Sequence, residues 1–236
     1  MIIAGIQKNS FIDFRGKVAT VVFTPLCNFD CFYCHNSQLL KMNHKNCEYI
    51  DEEEFFSYLN KRHGLIDGIV ISGGEPTLQP DLEEFIKKIK EMGYAVKLDT
   101  NGYEPDILEN LINKKLLDYV AMDIKAPFDQ YEEIINRKID FNVLKKSIAI
   151  LMNSDIEYEF RTTVIPTFTL EDIEAMAKEI KGALYYVLQQ FTKPEWEDRM
   201  VDIRNKIKPH HKAFFLEAQK VCMPYVQNAE IKNLKE

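Results

Sequence analysis

The sequence predicts an α/β fold built on a parallel sheet. Strand-like and helix-like segments alternate regularly along the chain, which is the pattern of strands joined by crossover helices. Several strand segments, such as Gly68-Ile69-Val70-Ile71-Ser72, are short continuous apolar runs, as expected when both faces of a strand are covered. The polar signatures gather just after the strand segments, where parallel α/β folds bind ligands. About six β-α units can be read, fewer than the eight of a closed barrel. Periodicity alone leaves a flat doubly wound sheet open as an alternative.

Ser10 to Lys17 reads as a turn, punctuated by Gly16, that feeds a first strand over Val18 to Thr24. Pro25 opens a loop that runs to about Leu40, and Lys41 to Ile50 is polar and irregular, a surface loop. Asp51-Glu52-Glu53-Glu54 then opens a helix to about Lys61, because acids in a first turn suit the helix dipole. Its apolar face is Phe55, Phe56 and Leu59. The second strand, Gly68 to Ser72, ends in Gly73-Gly74-Glu75-Pro76. Asp81 caps a helix to about Met92 with Leu82, Phe85, Ile86 and Ile89 on one face, and Gly93 ends it. The third strand, Tyr94 to Thr100, ends in Asp99-Thr100-Asn101-Gly102. A helix from Pro105 to about Lys115 leads to the fourth, Asp118 to Ile124, which ends in Asp123-Ile124-Lys125. After a polar excursion, Phe128 to Lys138, comes a helix from about Asn142 to Met152. The fifth strand, Glu157 to Ile165, carries Arg161. A helix over Leu170 to Lys181 precedes the sixth, Ala183 to Phe191. The tail from Thr192 on reads as mostly helical, clearest over Pro209 to Val221. No internal repeat or low-complexity segment interrupts the chain.

At 236 residues the chain has the size of one α/β domain with a real core. No apolar run approaches the roughly 20 residues that span a bilayer. The N-terminus lacks a charged region before its apolar start and has no long apolar stretch, so no signal peptide is read and a cytoplasmic location is expected. A net charge of −7 argues mildly against a generic nucleic-acid binder. Of the five cysteines, three crowd one loop, which reads as metal binding rather than a disulfide framework. Cys47 and Cys222 read as ordinary free thiols.

The crowded loop is Cys27-Asn28-Phe29-Asp30-Cys31-Phe32-Tyr33-Cys34. Three thiols at this spacing can wrap one small inorganic centre. No fourth ligand is evident, since His35 follows the last cysteine too closely to close the same site. Three thiolates on a four-iron cluster leave one iron open to a substrate, whereas structural zinc wants four closed ligands. A zinc knuckle is the bland alternative. Glycines at a strand end, as in Gly73-Gly74, let backbone approach a ligand with no Cβ between; the same four residues also read as a plain turn. Asn101-Gly102 likewise favours a turn. Asp123 with Lys125 reads either as part of a site or as a solvated edge pair. Arg161, set among apolar and β-branched residues, is costly unless paired, by a ligand carboxylate or by a structural salt bridge.

The cysteine spacing, the aromatic before the last cysteine and the following Cys34-His35-Asn36 resemble the radical S-adenosylmethionine (SAM) superfamily, in its group of glycyl-radical enzyme activating enzymes. The resemblance runs from about Gly5 to about Phe191. Within the group the chain is most similar to activating proteins of anaerobic ribonucleoside-triphosphate reductase in the short form without a ferredoxin insert. The resemblance implies a partial (β/α)6 barrel, open on one side, as a single domain over 1–236 with a core of about 17–191 and a helical C-terminal extension of about 192–236. It implies a [4Fe-4S] cluster on Cys27, Cys31 and Cys34, with Tyr33 near the adenine of SAM and Gly73-Gly74-Glu75 at the methionine amino group. Asp99 would help line the SAM site and, with Asp123, hold a monovalent cation. Lys125 would pair with the SAM carboxylate, and Arg161 with a ligand carboxylate.

The chain also departs from the pattern. Asp13 and Gly16 match, but Arg15 stands where proline is common. Gln189 and Gln190 lie near a position that holds histidine in some relatives, and only one of the two can face inward. The activity implied is reductive cleavage of SAM to methionine and a 5′-deoxyadenosyl radical, which takes a hydrogen from a glycine Cα of a partner protein. The partner implied is an anaerobic ribonucleotide reductase, with a flavodoxin- or ferredoxin-type reductant and no nucleic acid or membrane. The alternatives are an activator of another glycyl-radical enzyme, such as a pyruvate formate-lyase type, a small-molecule radical SAM enzyme, and, more distantly, a non-catalytic metal-binding module.

Overall fold

The computed structural model describes residues 1–40, 48–195 and 197–234. Cys47 and most of the predicted surface loop lie outside the described residues. The strands form one sheet in the order β1 (Gly5–Ser10), β2 (Ala19–Thr24), β3 (Gly68–Gly73), β4 (Ala95–Thr100), β5 (Tyr119–Asp123), β6 (Glu157–Val164), β7 (Tyr185–Gln190) and β8 (Asn228–Lys232). β1 runs antiparallel to β2; the pairs β2–β3, β3–β4, β6–β7 and β7–β8 are parallel. The chain divides into two compact units, one of residues 1–28, 38–120 and 154–157, the other of residues 29–37, 121–153 and 158–236.

In the first unit the strand interiors are apolar on both faces, as the continuous runs predict. Ile69, Val70 and Ile71 of β3 and Val96 and Leu98 of β4 have no exposed surface. One side is covered by the helices α2 (Glu52–Asn60) and α3 (Leu82–Glu91), whose Phe55 and Phe85 rings stack 5.5 Å apart. On the other, Phe14 packs with Ala19, Val21, Val70 and Tyr119. Asp51 caps α2 by accepting from the Glu53 and Glu54 amides. Asp81 stands at the N-cap of α3 but makes no capping bond; its carboxylate lies 2.6 Å from the Met1 amino group instead. The helix α4 (Pro105–Asn113) starts on its proline, as predicted.

In the second unit, α6 (Phe141–Met152), α7 (Leu170–Glu179) and α9 (Lys212–Cys222) bury Leu144, Ile148, Ile173, Met176, Phe215 and Ala218. A capping box between Thr169 and Asp172 starts α7. Cys222 is fully buried, and burial pushes its thiol up to about 12, so it is an inert core residue.

Several elements differ from the sequence prediction, among them the short helix α1 (Ser37–Leu40) at the end of the predicted cysteine loop. β1 was absent from the prediction: Gly5-Ile6-Gln7-Lys8-Asn9-Ser10 is polar because an edge strand has one neighbour and leaves Gln7, Lys8 and Asn9 in solvent. The tail is not wholly helical, since it ends in β8, whose short Asn-Ala-Glu-Ile-Lys sequence has no strand pattern of its own. The polar excursion after β5 holds a short helix, α5 (Tyr131–Ile135), that buries Tyr131, Ile134 and Ile135. Among the described residues no helix is long and apolar enough to cross a membrane.

Candidate functional site

The first unit supplies the ends of β2, β3 and β4. Gly74 packs against the start of the cysteine loop, where a Cβ would come within 1.8 Å of the Leu26 carbonyl oxygen. Gly73 has φ +118°, and a Cβ there would sit 2.3 Å from the Thr24 amide nitrogen. The amides of Gly74 and Glu75 donate to Thr24 and Leu26 carbonyls at 2.8 and 2.7 Å. The two glycines therefore let β3 lie against the backbone entering Cys27. Leu26 itself takes φ +69°, a conformation held by its amide bond to the Leu39 carbonyl (3.0 Å) and by this packing.

Glu75 is buried and accepts from Thr77 (backbone 3.2 Å, hydroxyl 2.6 Å), the Thr100 hydroxyl (2.7 Å) and the Asn101 amide (2.7 Å). Burial raises its carboxyl above the usual range although these donors oppose the shift. Its oxygens thus brace the end of β3 to the end of β4. Asn101 continues the connection: its side-chain amide donates to Asn28 Oδ1 (2.6 Å) and lies 3.8 Å from Cys27 Sγ. The sequence offers Asn101 as a turn residue or, beside Asp99, as a neighbour lining the SAM site; its contact with Cys27, 74 residues back along the chain, is visible only in the fold.

Asp99 accepts from the Ser72 hydroxyl (3.3 Å) and lies 3.0 Å from the Lys97 ammonium. Lys97 is 2% exposed and also donates to the Asp13 carbonyl at 2.5 Å. No prediction singled it out. A lysine inside the apolar run Ala95 to Leu98 was the available signal.

The second unit supplies Cys31, Cys34, Tyr33 and a charged triad. Cys31 is buried, Cys34 half-buried, and the Cys34 amide donates to the Cys31 carbonyl at 3.1 Å. Burial raises the Cys34 thiol, opposed in part by the Asn36 backbone. Tyr33 is buried edge-on to Phe32, its hydroxyl has no hydrogen-bond partner among the described residues, and burial raises it well above the usual phenol range. His35 is exposed.

Asp123, at the end of β5, holds both cations named by the sequence. Lys125 Nζ is 2.9 Å from Oδ2 and Arg161 Nε is 3.0 Å from Oδ1. Burial alone would raise the Asp123 carboxyl, but Arg161 and Lys125 outweigh it and hold it at about 2. Burial works against the Lys125 ammonium, but Asp123 keeps it firmly charged. The three charges are only partly exposed, and they sum to +1, which leaves the triad attractive to an anion. Gln190 donates to the His210 carbonyl at 3.0 Å.

Comparison with known proteins agrees with this geometry. The sequence pattern of the radical SAM superfamily matches residues 21–180. A protein of Methanocaldococcus jannaschii assigned as a glycyl-radical enzyme activating enzyme is 36% identical over 239 residues, covering 99% of this chain and 96% of that protein. The pyruvate formate-lyase-activating enzyme of Clostridium pasteurianum is 32% identical over 76% of each chain. Among solved structures, Streptococcus suis SuiB bound to S-adenosylmethionine gives a TM-score of 0.64 at 14% identity, over 90% of this chain and 52% of that one. TYW1 with a lysine-pyruvate adduct gives 0.60 at 18% identity, over 87% and 73%. These likenesses show the fold, the partial α/β barrel of that superfamily.

The superfamily works with a [4Fe-4S] cluster and SAM, and the residues present fit both. One loop carries three thiols, a donor set that leaves a fourth iron open. The triad sets two cations against one carboxylate, so a ligand carboxylate would balance it. The buried Tyr33 hydroxyl lacks, among the described residues, a partner that a ligand could provide. With the family pattern over most of its length and a full-length relative at 36% identity, the chain belongs to the radical SAM superfamily, in its group of glycyl-radical enzyme activating enzymes.

Proposed function

We propose that the chain activates an anaerobic ribonucleotide reductase by installing a glycyl radical on it. The observation that carries the chemistry is the three-cysteine loop, Cys27, Cys31 and Cys34, at the end of β2. Those thiols would hold the cluster. Lys125 and Arg161, set by Asp123, would take the SAM carboxylate. The loop shaped by Gly73, Gly74 and Glu75 would receive the methionine amino group, and Tyr33 would pack at the adenine. Asp99 would line the same cofactor. In this structure its carboxylate is already met by Lys97, so a monovalent cation shared with Asp123 would have to compete with ammonium groups on both acids. The chemistry supplied by the cluster and SAM when bound is one-electron cleavage of SAM, followed by hydrogen removal from a partner's glycine Cα. The protein's own tasks are to fix the sulfurs, orient SAM by its charged end and exclude water. A cytoplasmic, anaerobic setting and a flavodoxin- or ferredoxin-type electron donor belong to the same reading.

The choice of ribonucleotide reductase rests on the resemblance of the cysteine loop, Cys27 to Asn36. The 32% identity to a pyruvate formate-lyase-activating enzyme favours a second reading with the same chemistry and a pyruvate formate-lyase-type target. The test is anaerobic: reconstitute with iron and sulfide, reduce with dithionite, add SAM and quantify 5′-deoxyadenosine beside Cys31→Ala. Turnover in the wild type and none in the variant supports the reading. Zinc binding without cluster assembly would overturn it. Incubation with each candidate partner then reads the target, through the electron paramagnetic resonance doublet of a glycyl radical.

A further inference from the structure

The backbone on both sides of the second cysteine, from Asp30 to Phe32, is held from two sides within the second unit. On one side the amides of Asp30 and Phe32 donate to the Ile135 and Ile134 carbonyls of α5, at 2.9 and 3.4 Å. On the other, a C-terminal segment that starts in the short helix α8 (Glu197–Met200) and continues through a 3-10 turn (Ile203–Lys206) lies against the same stretch. Asn205, with no exposed surface, donates from Nδ2 to the Phe32 carbonyl (2.8 Å) and to the Arg199 carbonyl (2.9 Å). The Arg199 guanidinium donates to the Asp30 carboxylate. The Arg204 guanidinium sits 3.8 Å over the Phe32 ring and is fixed there by Asp202 at 2.8 Å.

A buried asparagine amide is costly to place unless its bonds are made. Here the Nδ2 donor bonds are made, one to the Phe32 carbonyl between Cys31 and Cys34 and one to the Arg199 carbonyl, while Oδ1 has no hydrogen-bond partner among the described residues. We propose that Asn205 is a positioning residue for the metal-binding loop, with Arg199 in support: the 199–205 segment, opposed by α5, sets the spacing and direction of the Cys31 and Cys34 sulfurs before any cluster binds. The inference rests on the cluster reading above for its consequence. Its geometry is independent of it. The tail that sequence reading treats as an appendage to the core therefore shapes the metal site, and a chain cut near residue 192 would keep all three cysteines but lose the clamp.

The test uses the full chain and two readouts. In the metal-free protein, iodoacetamide labelling followed by mass spectrometry gives a rate for each cysteine. Loss of one or two buried hydrogen bonds corresponds to about a tenfold gain in local opening, so Asn205→Ala should label Cys31 and Cys34 about tenfold faster. Cys27, held by the first unit, should stay within about twofold of its wild-type rate, a difference too small to signal a lost bond. Asn205→Asp keeps the volume but removes the N–H donor, and should behave like alanine; if it restores wild-type protection, side-chain volume alone matters and the proposal fails. In the reconstituted protein the same variants should lose iron to a chelator about tenfold faster, well below their melting temperature. If Asn205→Ala does not fold, Arg199→Gln decides through the same rates. Unchanged labelling of Cys31 and Cys34 in the variants that fold overturns the clamp. Failure of the wild type to assemble a cluster would sink the cluster reading and leave the labelling arm to judge the clamp.

Discussion

The two units hold their motif residues in different ways. In the first, the groups that follow β3 are bonded inside the protein: Glu75 accepts from Thr77, Thr100 and Asn101, and the amides after Gly73 bond to Thr24 and Leu26. In the second, Asp123 holds Lys125 and Arg161 in a triad whose three charges sum to +1, and the Tyr33 hydroxyl is buried with no hydrogen-bond partner among the described residues. The first is a brace that fixes the backbone ahead of Cys27. The second is a set of charges that a ligand can complete. The family motif residues are thus of two physical kinds, and substitution should separate them: brace variants lose stability, and triad variants lose SAM.

The largest effect should come from Asp123→Ala. It strands two partly buried cations, which costs about 3–5 kcal/mol, read as a lower denaturant midpoint, and SAM protection against unfolding should go with it. A variant as stable as the wild type would show that the triad is solvated and the comparison wrong. Gly74→Ala should cost about 3 kcal/mol, at the upper end for overpacking, because the new Cβ meets backbone rather than a side chain that can turn away. A destabilisation below the range of ordinary surface changes would mean that the Leu26 backbone yields, and that the brace is soft.

Lys125→Met keeps the stem and removes the charge. SAM affinity should fall about tenfold to a hundredfold, which is about 1.4–2.8 kcal/mol, while the melting temperature moves little because Arg161 still partners Asp123. Loss of stability without loss of SAM affinity would move Lys125 to the bracing class. The pH dependence sharpens the same point. Asp123 titrates at about 2 in the folded protein, below its ordinary 3.8. Its contribution is therefore fully present above about pH 5 and is lost as pH falls through 4 toward 2, about 2 kcal/mol in all. The stability gap between wild type and Asp123→Asn, followed from pH 6 to pH 2, should stay flat and then close; a gap closing near pH 6 contradicts the triad's electrostatics.

The smallest effect belongs to Glu75→Gln. The amide oxygen can keep the threonine donors, and a buried charge whose carboxyl is raised by burial is removed. Against this, the new NH₂ faces the Asn101 amide, so the net loss should be about 1 kcal/mol. SAM affinity should barely change. A hundredfold loss of affinity in a stable variant would place Glu75 on the ligand rather than in the brace.

How much of this was legible in the sequence depends on the range of the forces involved. The strands from Ala19 to Gln190 and the helices between them follow from local apolar patterns, caps and a helix-starting proline. The three cysteines, Gly73-Gly74, Asp123, Lys125 and Arg161 were found because each is chemically conspicuous where it stands. β1, β8 and α5 were missed because short polar elements gain their order from a neighbour or from burial, which local propensity does not report. The contacts of Lys97, Asn101 and Asn205 were missed for a related reason: each acts through partners distant in the chain, at Asp13, Asn28 and Phe32.

The sequence by itself determined the α/β class, the cysteine spacing and the family, because these rest on residue type and short-range order. Tertiary structure alone decided what each motif residue touches. Gly74 packs on the Leu26 backbone, Glu75 accepts from the Asn101 amide, and a C-terminal asparagine holds the carbonyl between two cysteines. Hydrogen bonds and close packing act over about 3–4 Å, so residues far apart in the chain enter that range only once the fold is made.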